Sequence, residues 1–253
     1  MLLLDIEGTT TSVDFVYQTL FPYARNYLRK FLERHFGSEE LRADIERLRQ
    51  EHAEDCNKAS NNVSTGSSNQ DTPPAWPGKP GEFQRELEIK SIAAYMEWLM
   101  DRDRKSTGLK SLQGKIWEAG YRTGELRSHI YPDVLPAFMR WRRKHKDICI
   151  YSSGSIQAQK LLFEHTIDGD LRSFIRTYFD TTTGVKNHPA SYMRIAQSLA
   201  VAISAVLFIS DSIAEVDAAK LGGMTALLCA RSGTSNSVVH GHAVIRTFDE
   251  VFP

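Results

Sequence analysis

Two acids, Asp5 and Glu7, follow directly on the apolar run Leu2-Leu3-Leu4 and belong to the hexapeptide Asp5-Ile6-Glu7-Gly8-Thr9-Thr10. A run of that kind reads as a short buried strand. Both acids then lie at its carboxyl tip, where ligands collect in open parallel α/β sheets. Gly8 permits a sharp turn, and the threonines offer hydroxyls and backbone N–H groups. A carboxylate at this place can attack phosphorus, and a second acid two positions on can protonate the leaving oxygen and later activate water. Helix capping and ordinary turn formation compete for the same residues, so the rest of the chain must decide.

Three further sites fall where strands should end or where loops should face those ends. Ser152 and Ser153, in Ser152-Ser153-Gly154-Ser155 after the apolar Ile148 to Tyr151, can hold phosphate oxygens through hydroxyls and N–H groups; helix capping is the competing reading. Lys186, in Gly184-Val185-Lys186, can neutralise a nucleophile and phosphoryl oxygens as a point charge. Asp211, in Ser210-Asp211-Ser212, follows the apolar Val206 to Ile209. With Asp5 and a backbone carbonyl near Glu7, it would suffice for Mg²⁺, which takes few protein oxygens and keeps waters. Glu215 reads equally as part of that site or as a first-turn helix acid, and Asp217 as the latter.

The elements that must position these residues follow from periodicity. Phe15 to Phe31 reads as one long amphipathic helix kinked at Pro22, and Ser38-Glu39-Glu40 starts another carrying Leu41, Ile45 and Leu48. Residues 57–81 turn to Asn, Ser, Thr, Gly and Pro and predict a mobile surface loop. Helical spacing returns through Phe83, Leu87, Ile92, Tyr95 and Leu99, then through Leu109, Leu112, Ile116 and Trp117. From Pro132-Asp133-Val134 onward helix and strand alternate, which predicts an α/β fold: a doubly wound, parallel, Rossmann-like sheet. A helical cap is inserted after the first strand. The expected domains are residues 1–14 with 128–253 as the core and 15–127 as the cap, placed to act as a lid.

Composition excludes several classes. Lys plus Arg and Asp plus Glu each total 31, so no net field attracts nucleic acid. No apolar run reaches the roughly 20 residues that span a bilayer, and Met1-Leu2-Leu3-Leu4 meets an acid too early for a signal peptide. A soluble monomer in the cytoplasm is expected, with nuclear residence left open. Cys56, Cys149 and Cys229 form neither a disulfide framework nor a zinc motif, and read as reduced thiols, two of them buried. The eight histidines include no ligand set: His188 precedes a helix, and His240-Gly241-His242 lacks a third partner.

With the four sites in this order, the chain resembles the haloacid dehalogenase superfamily across its α/β core. Glu7 stands where most phosphatases there carry a second Asp, and Asp-Ile-Glu-Gly-Thr-Thr is similar to the enolase-phosphatase (acireductone synthase) family of methionine salvage. Leu20-Phe21-Pro22-Tyr23-Ala24, Leu109 to Gly114, Tyr151 to Phe163 and Phe179-Asp180-Thr181 carry the same resemblance. It departs from the pattern in a first strand that begins almost at Met1 and in the enlarged loop at 57–81. The resemblance implies an aspartyl-phosphate mechanism with one Mg²⁺ per subunit. Catalysis then falls to Asp5, Glu7 and Lys186, substrate binding to Ser152, Ser153 and Lys186, and metal binding to Asp5, Glu7 and Asp211. The implied substrate is a small phosphorylated diketone, enolised and then dephosphorylated, whose methylthio tail would meet Trp117, Tyr121 and the first helix. A generic Mg²⁺-dependent phosphatase, a phosphoryl-transfer mutase and a non-catalytic binding module are the alternatives.

Overall fold

Three consecutive leucines can all be buried only in a strand covered on both faces, and the computed structural model places them so. Leu2–Leu4 form β1, with each residue 0% exposed. The structure describes residues 1–63, 72–77, 85–104, 106–231 and 241–253. Beyond β1 the Ser12 side chain caps the short α1, Val13–Phe15, and the chain passes into a π-helical turn, Val16–Leu20. Then come α2 (Phe21–His35), α3 (Glu39–Val63), α4 (Arg85–Asp101) and α5 (Thr107–Thr123). Two compact units result, Met1–Leu20 with Tyr121–Pro253, and Phe21–Gly120. The helical unit has its own core, in which Leu28, Leu32, Leu48, Ile92, Met96 and Leu112 are buried.

Two expectations for this region need correction. The long helix around Pro22 is a broken one: the π turn ends before α2, and Pro22 falls in the first turn of α2. Proline has no N–H to continue the preceding ladder, so the register changes there rather than bending at the proline. The loop expected at 57–81 is in part helix, since α3 runs on to Val63 with Ser60 Oγ donating to the Cys56 carbonyl at 2.9 Å. Trp76 packs against His52 and Tyr95, with ring centroids 5.5 and 6.0 Å apart. Ser64 to Asn69 and Phe83 lie outside the described residues.

The unit that holds β1 continues with α6 (Val134–Arg143), β2 (Ile148–Tyr151), α7 (Ile156–Glu164), β3 (Ile175–Phe179), α8 (Pro189–Ser198), β4 (Leu207–Ser210), α9 (Ile213–Leu221), β5 (Thr225–Cys229) and β6 (Val244–Ile245). The strands are all parallel and lie in the order β3-β2-β1-β4-β5-β6. Leu3, Cys149, Phe208 and Ala226 share a core with Tyr192 and Ile195 of α8 and Val216 of α9. Leu2, Leu4, Ile148 and Ile150, of opposite parity on their strands, are buried on the other face. This is a doubly wound α/β sheet with a helical insertion after its first strand. Strand order reverses direction at β1 and β4, and that switch point is where ligands bind in such sheets.

Candidate active site

β1 and β4 are in register, with Leu4 opposite Ile209, so the chain leaves both strands at the same edge. Asp5 follows one and Asp211 the other. Asp5 N donates to the Ile209 carbonyl at 3.0 Å, which carries the ladder one residue further and buries Asp5 to 2% exposure. The turn beyond it winds around one acceptor, the Ile6 carbonyl, which receives the N–H groups of Thr9, Thr10 and Thr11 at 3.2, 2.9 and 3.0 Å. Thr9 Oγ1 then donates to Asp5 Oδ2 at 3.2 Å.

Lys186 lies in the loop after β3 and before α8, and its ammonium pairs with Asp5 Oδ1 and, at 2.7 Å, with Glu215 Oε2. The loop is held by three successive carbonyls. Tyr151 donates its hydroxyl to Gly184 O at 2.8 Å, Ser191 to Val185 O at 2.8 Å, and Tyr192 to Lys186 O at 2.6 Å. A flexible lysine stem is thereby delivered from a fixed backbone. Burial alone would lower the pKa of Lys186, but Asp5 and then Glu215 outweigh it and hold the ammonium charged well above its ordinary range.

Ser152 follows β2 and donates to both Glu7 oxygens at 3.3 Å, while Ser155 caps α7 by accepting from Ala158 N at 3.2 Å. The serine cluster therefore divides: one member reaches an acid and another caps a helix. Ser153 is exposed on the same turn. Burial, and next the charge of Asp5, raises the pKa of Glu7. Glu215 is raised for the same reasons in the same order, and Asp211 is pushed up to about 7 by burial, then Asp5 and Glu215. Four acids thus share the surroundings of one lysine.

Residue types in this arrangement fit phosphoryl transfer, and the comparisons agree. The profile of the haloacid dehalogenase-like hydrolases matches residues 1–223. A protein of Synechococcus elongatus named enolase-phosphatase E1 is 45% identical over 250 residues, covering 99% of this chain and 96% of its own. The chain belongs to the enolase-phosphatase family of these hydrolases. Enolase-phosphatase E1 of Dictyostelium discoideum is 42% identical, with 98% of this chain and 92% of its own covered. The UTR4 protein of Saccharomyces cerevisiae superposes with a TM-score of 0.73 at 28% identity, covering 99% of both chains. A haloacid dehalogenase-type phosphatase from Thermococcus onnurineus, at 17% identity, 98% and 94% coverage and a TM-score of 0.53, shares the fold.

In this enolase-phosphatase family member, sequence reasoning left Glu215 undecided. Its tertiary partners place it in the cluster, because Ser210 Oγ donates to Glu215 Oε2 at 2.8 Å beside the lysine. The spacing Ser210 to Glu215 across the strand-to-helix turn was the available signal. Tyr121, considered for the thioether tail, is 4% exposed; its ring stacks on His165 at 5.1 Å and its hydroxyl accepts from Ser128 at 2.8 Å. His242 is buried with Nδ1 2.7 Å from Lys220 Nζ, and His240 lies outside the described residues. No described helix is long and apolar enough to cross a membrane.

Gly8 is a position that only glycine satisfies. Its φ is +75°, and an added Cβ would overlap the Asp211 carboxylate, lying 2.5 Å from its Cγ. Gly8→Ala is expected to lower kcat/KM about 100-fold, because the Asp211 carboxylate must move from its place against Gly8. A steady-state assay at saturating Mg²⁺ checks this, and a loss under threefold would refute the close approach.

Proposed function

We propose that this chain converts 2,3-diketo-5-methylthiopentyl-1-phosphate into 1,2-dihydroxy-3-keto-5-methylthiopentene and phosphate, as an enolase-phosphatase. The observation that carries the reading is the buried Asp5–Lys186 pair at the tip of β1, with Glu7 held two residues on by Ser152. Lys186 pairs with the Asp5 carboxylate and offers positive charge to incoming phosphoryl oxygens. An oxygen of Asp5 bonds to phosphorus as the bond from phosphorus to the enol oxygen breaks. Glu7, whose pKa is raised by burial and then by the charge of Asp5, gives a proton to the leaving oxygen. It then takes one from the water that attacks phosphorus, releasing phosphate and the free carboxylate. The leaving group is an enol rather than an alcohol and needs less acid assistance, so the longer Glu can serve here.

The donor set fits Mg²⁺. Asp5 and Asp211 would supply hard oxygens, and the Glu7 backbone carbonyl would supply a third, its side chain being engaged by Ser152. Among the described residues no three acid, His or Cys side chains already converge as a ready cage. Mg²⁺ does not need one, since it is held by one or two carboxylates and completes its shell with water. When bound, the ion supplies charge neutralisation for the acids and for phosphoryl and enolate oxygens. One ion per chain, a monomeric state and cytoplasmic residence belong to the same reading.

Protons would compete with Mg²⁺ at Asp211, whose carboxyl is pushed up to about 7. The Mg²⁺ concentration giving half-maximal activity should therefore rise about tenfold for each pH unit below about 7 and level off above it. A value independent of pH between about 6 and about 8 would refute the assignment. The function itself is tested by following enol absorbance and free phosphate together in a stopped-flow experiment with the diketo phosphate and Mg²⁺. Both signals rise if the reading holds. Phosphate release from many unrelated monoesters, with none from the diketo compound, would make the protein a general phosphatase.

A further inference from the structure

Arg231 lies just beyond β5, is 4% exposed, and hydrogen-bonds to Thr9 and Asp133. Its Nη1 donates to both Asp133 carboxylate oxygens at 2.7 and 2.6 Å. Nε and Nη2 converge on one acceptor, the Thr9 carbonyl, at 3.1 and 2.7 Å. The rings of Tyr131 and Phe248 lie 4.3 and 4.7 Å from its Cζ and fix the guanidinium plane. Asp133 is itself fixed, because Oδ2 also accepts from Phe248 N at 2.6 Å.

The segment from His129 to Asp133 runs beside the nucleophile turn and grips it in rungs. Thr11 Oγ1 donates to the His129 carbonyl at 2.6 Å, and Tyr131 N donates to the Thr10 carbonyl at 3.0 Å. The next rung would join Thr9 to Asp133, but two acceptors, a carbonyl and a carboxylate, cannot bond each other. Arg231 supplies the donors between them. Its fork lets it serve both at once, which the single ammonium of a lysine does less well.

The consequence reaches the reacting group. A carbonyl held by two donors cannot rotate, so the Thr9 residue is set, and with it the Oγ1 that donates to Asp5 Oδ2. The other Asp5 oxygen is held by Lys186. We propose that Arg231 is a positioning residue for phosphoryl transfer, acting through Thr9 to orient the Asp5 carboxylate. The inference rests on Asp5 being the nucleophile.

A double-mutant cycle in kcat tests it, with Arg231→Lys, Thr9→Val and the pair measured at saturating Mg²⁺ and at a temperature where circular dichroism shows each folded. Arg231→Lys alone should lower kcat about 30-fold with KM nearly unchanged, as misplacing a reacting group does. In the Thr9→Val background, where the hydroxyl link to Asp5 is already gone, the same change should cost less than about threefold. Effects that simply multiply, or a kcat untouched by Arg231→Lys, would overturn the proposal and leave a structural ion pair. Should Arg231→Lys fail to fold, Asp133→Asn takes its place in the cycle, since it loosens the anchor while leaving the guanidinium on Thr9. If Asp5→Asn turned over like the parent, the nucleophile reading would fall independently of the cycle.

Discussion

Asp5→Asn protein supplied with Mg²⁺ is expected to release phosphate about ten-thousand-fold more slowly than its parent, the scale on which removing a covalent nucleophile acts. The substitution keeps shape and burial, so the turn around the Ile6 carbonyl and the Thr9 hydroxyl contact can persist. What disappears is an anionic oxygen able to form and later break an acyl-phosphate bond. Asp5 is also the largest charge acting on its neighbours. After burial, it is the next cause of the raised pKa values of Glu7, Asp211 and Glu215, so all three should ionise more readily in the variant. Single-turnover phosphate release reads the first effect, and a carboxylate titration followed by NMR reads the second. Turnover within tenfold of the parent would remove Asp5 from the nucleophile role.

Lys186→Met should be damaging in two separable ways. The lysine is 5% exposed and supplies the ammonium that faces Asp5 and Glu215. Its loss leaves buried carboxylates uncompensated, at a cost of about 3–5 kcal/mol in folding stability near pH 8 for a broken buried pair. It also takes a positive charge from the phosphoryl oxygens, which should slow turnover about a thousandfold. The pH dependence has a definite sign. Without the lysine the folded-state pKa of Glu215, already raised, moves further up, so the folded protein binds protons more readily than the unfolded chain. The stability deficit must then shrink as the pH falls from about 8 to about 5, where the acids become neutral. Mg²⁺ should recover part of it by supplying charge to the same acids. Equal melting temperatures for variant and parent at pH about 8 would show that the lysine charge is not needed there.

Much of this site is readable in one dimension because short-range rules place it. Leu2-Leu3-Leu4 must be a covered strand, an acid directly after it must lie at the strand tip, and a glycine three residues on permits the turn. The same reasoning handles Ser152 after Ile148 to Tyr151 and Asp211 after Val206 to Ile209. Lys186 is different. It follows no strand directly, and what makes it more than a surface lysine is the grip of Tyr151, Ser191 and Tyr192 on the backbone of its loop. Nothing in Gly184-Val185-Lys186 announces those three partners.

Asp133 shows the limit from the other side. Pro132-Asp133-Val134 reads as a helix start, and α6 does begin at Val134, but the Asp133 side chain makes no cap hydrogen bond. It is used by Arg231, 98 positions away. The stretch 57–63 is helical against its composition for a related reason: polar residues cannot build a core, but a helix already nucleated by Leu41 to Leu48 extends at small cost per residue.

The strand tips, the residue types gathered there and the parallel α/β order are legible in the chain alone, because hydrophobic periodicity and turn chemistry act over a few residues. Which acids share a single lysine, which serine reaches Glu7, and that Arg231 bonds to the Thr9 carbonyl are settled by tertiary contacts alone. Those facts depend on distances between segments far apart in the chain, and they are set by strand order and helix packing, which no local pattern encodes.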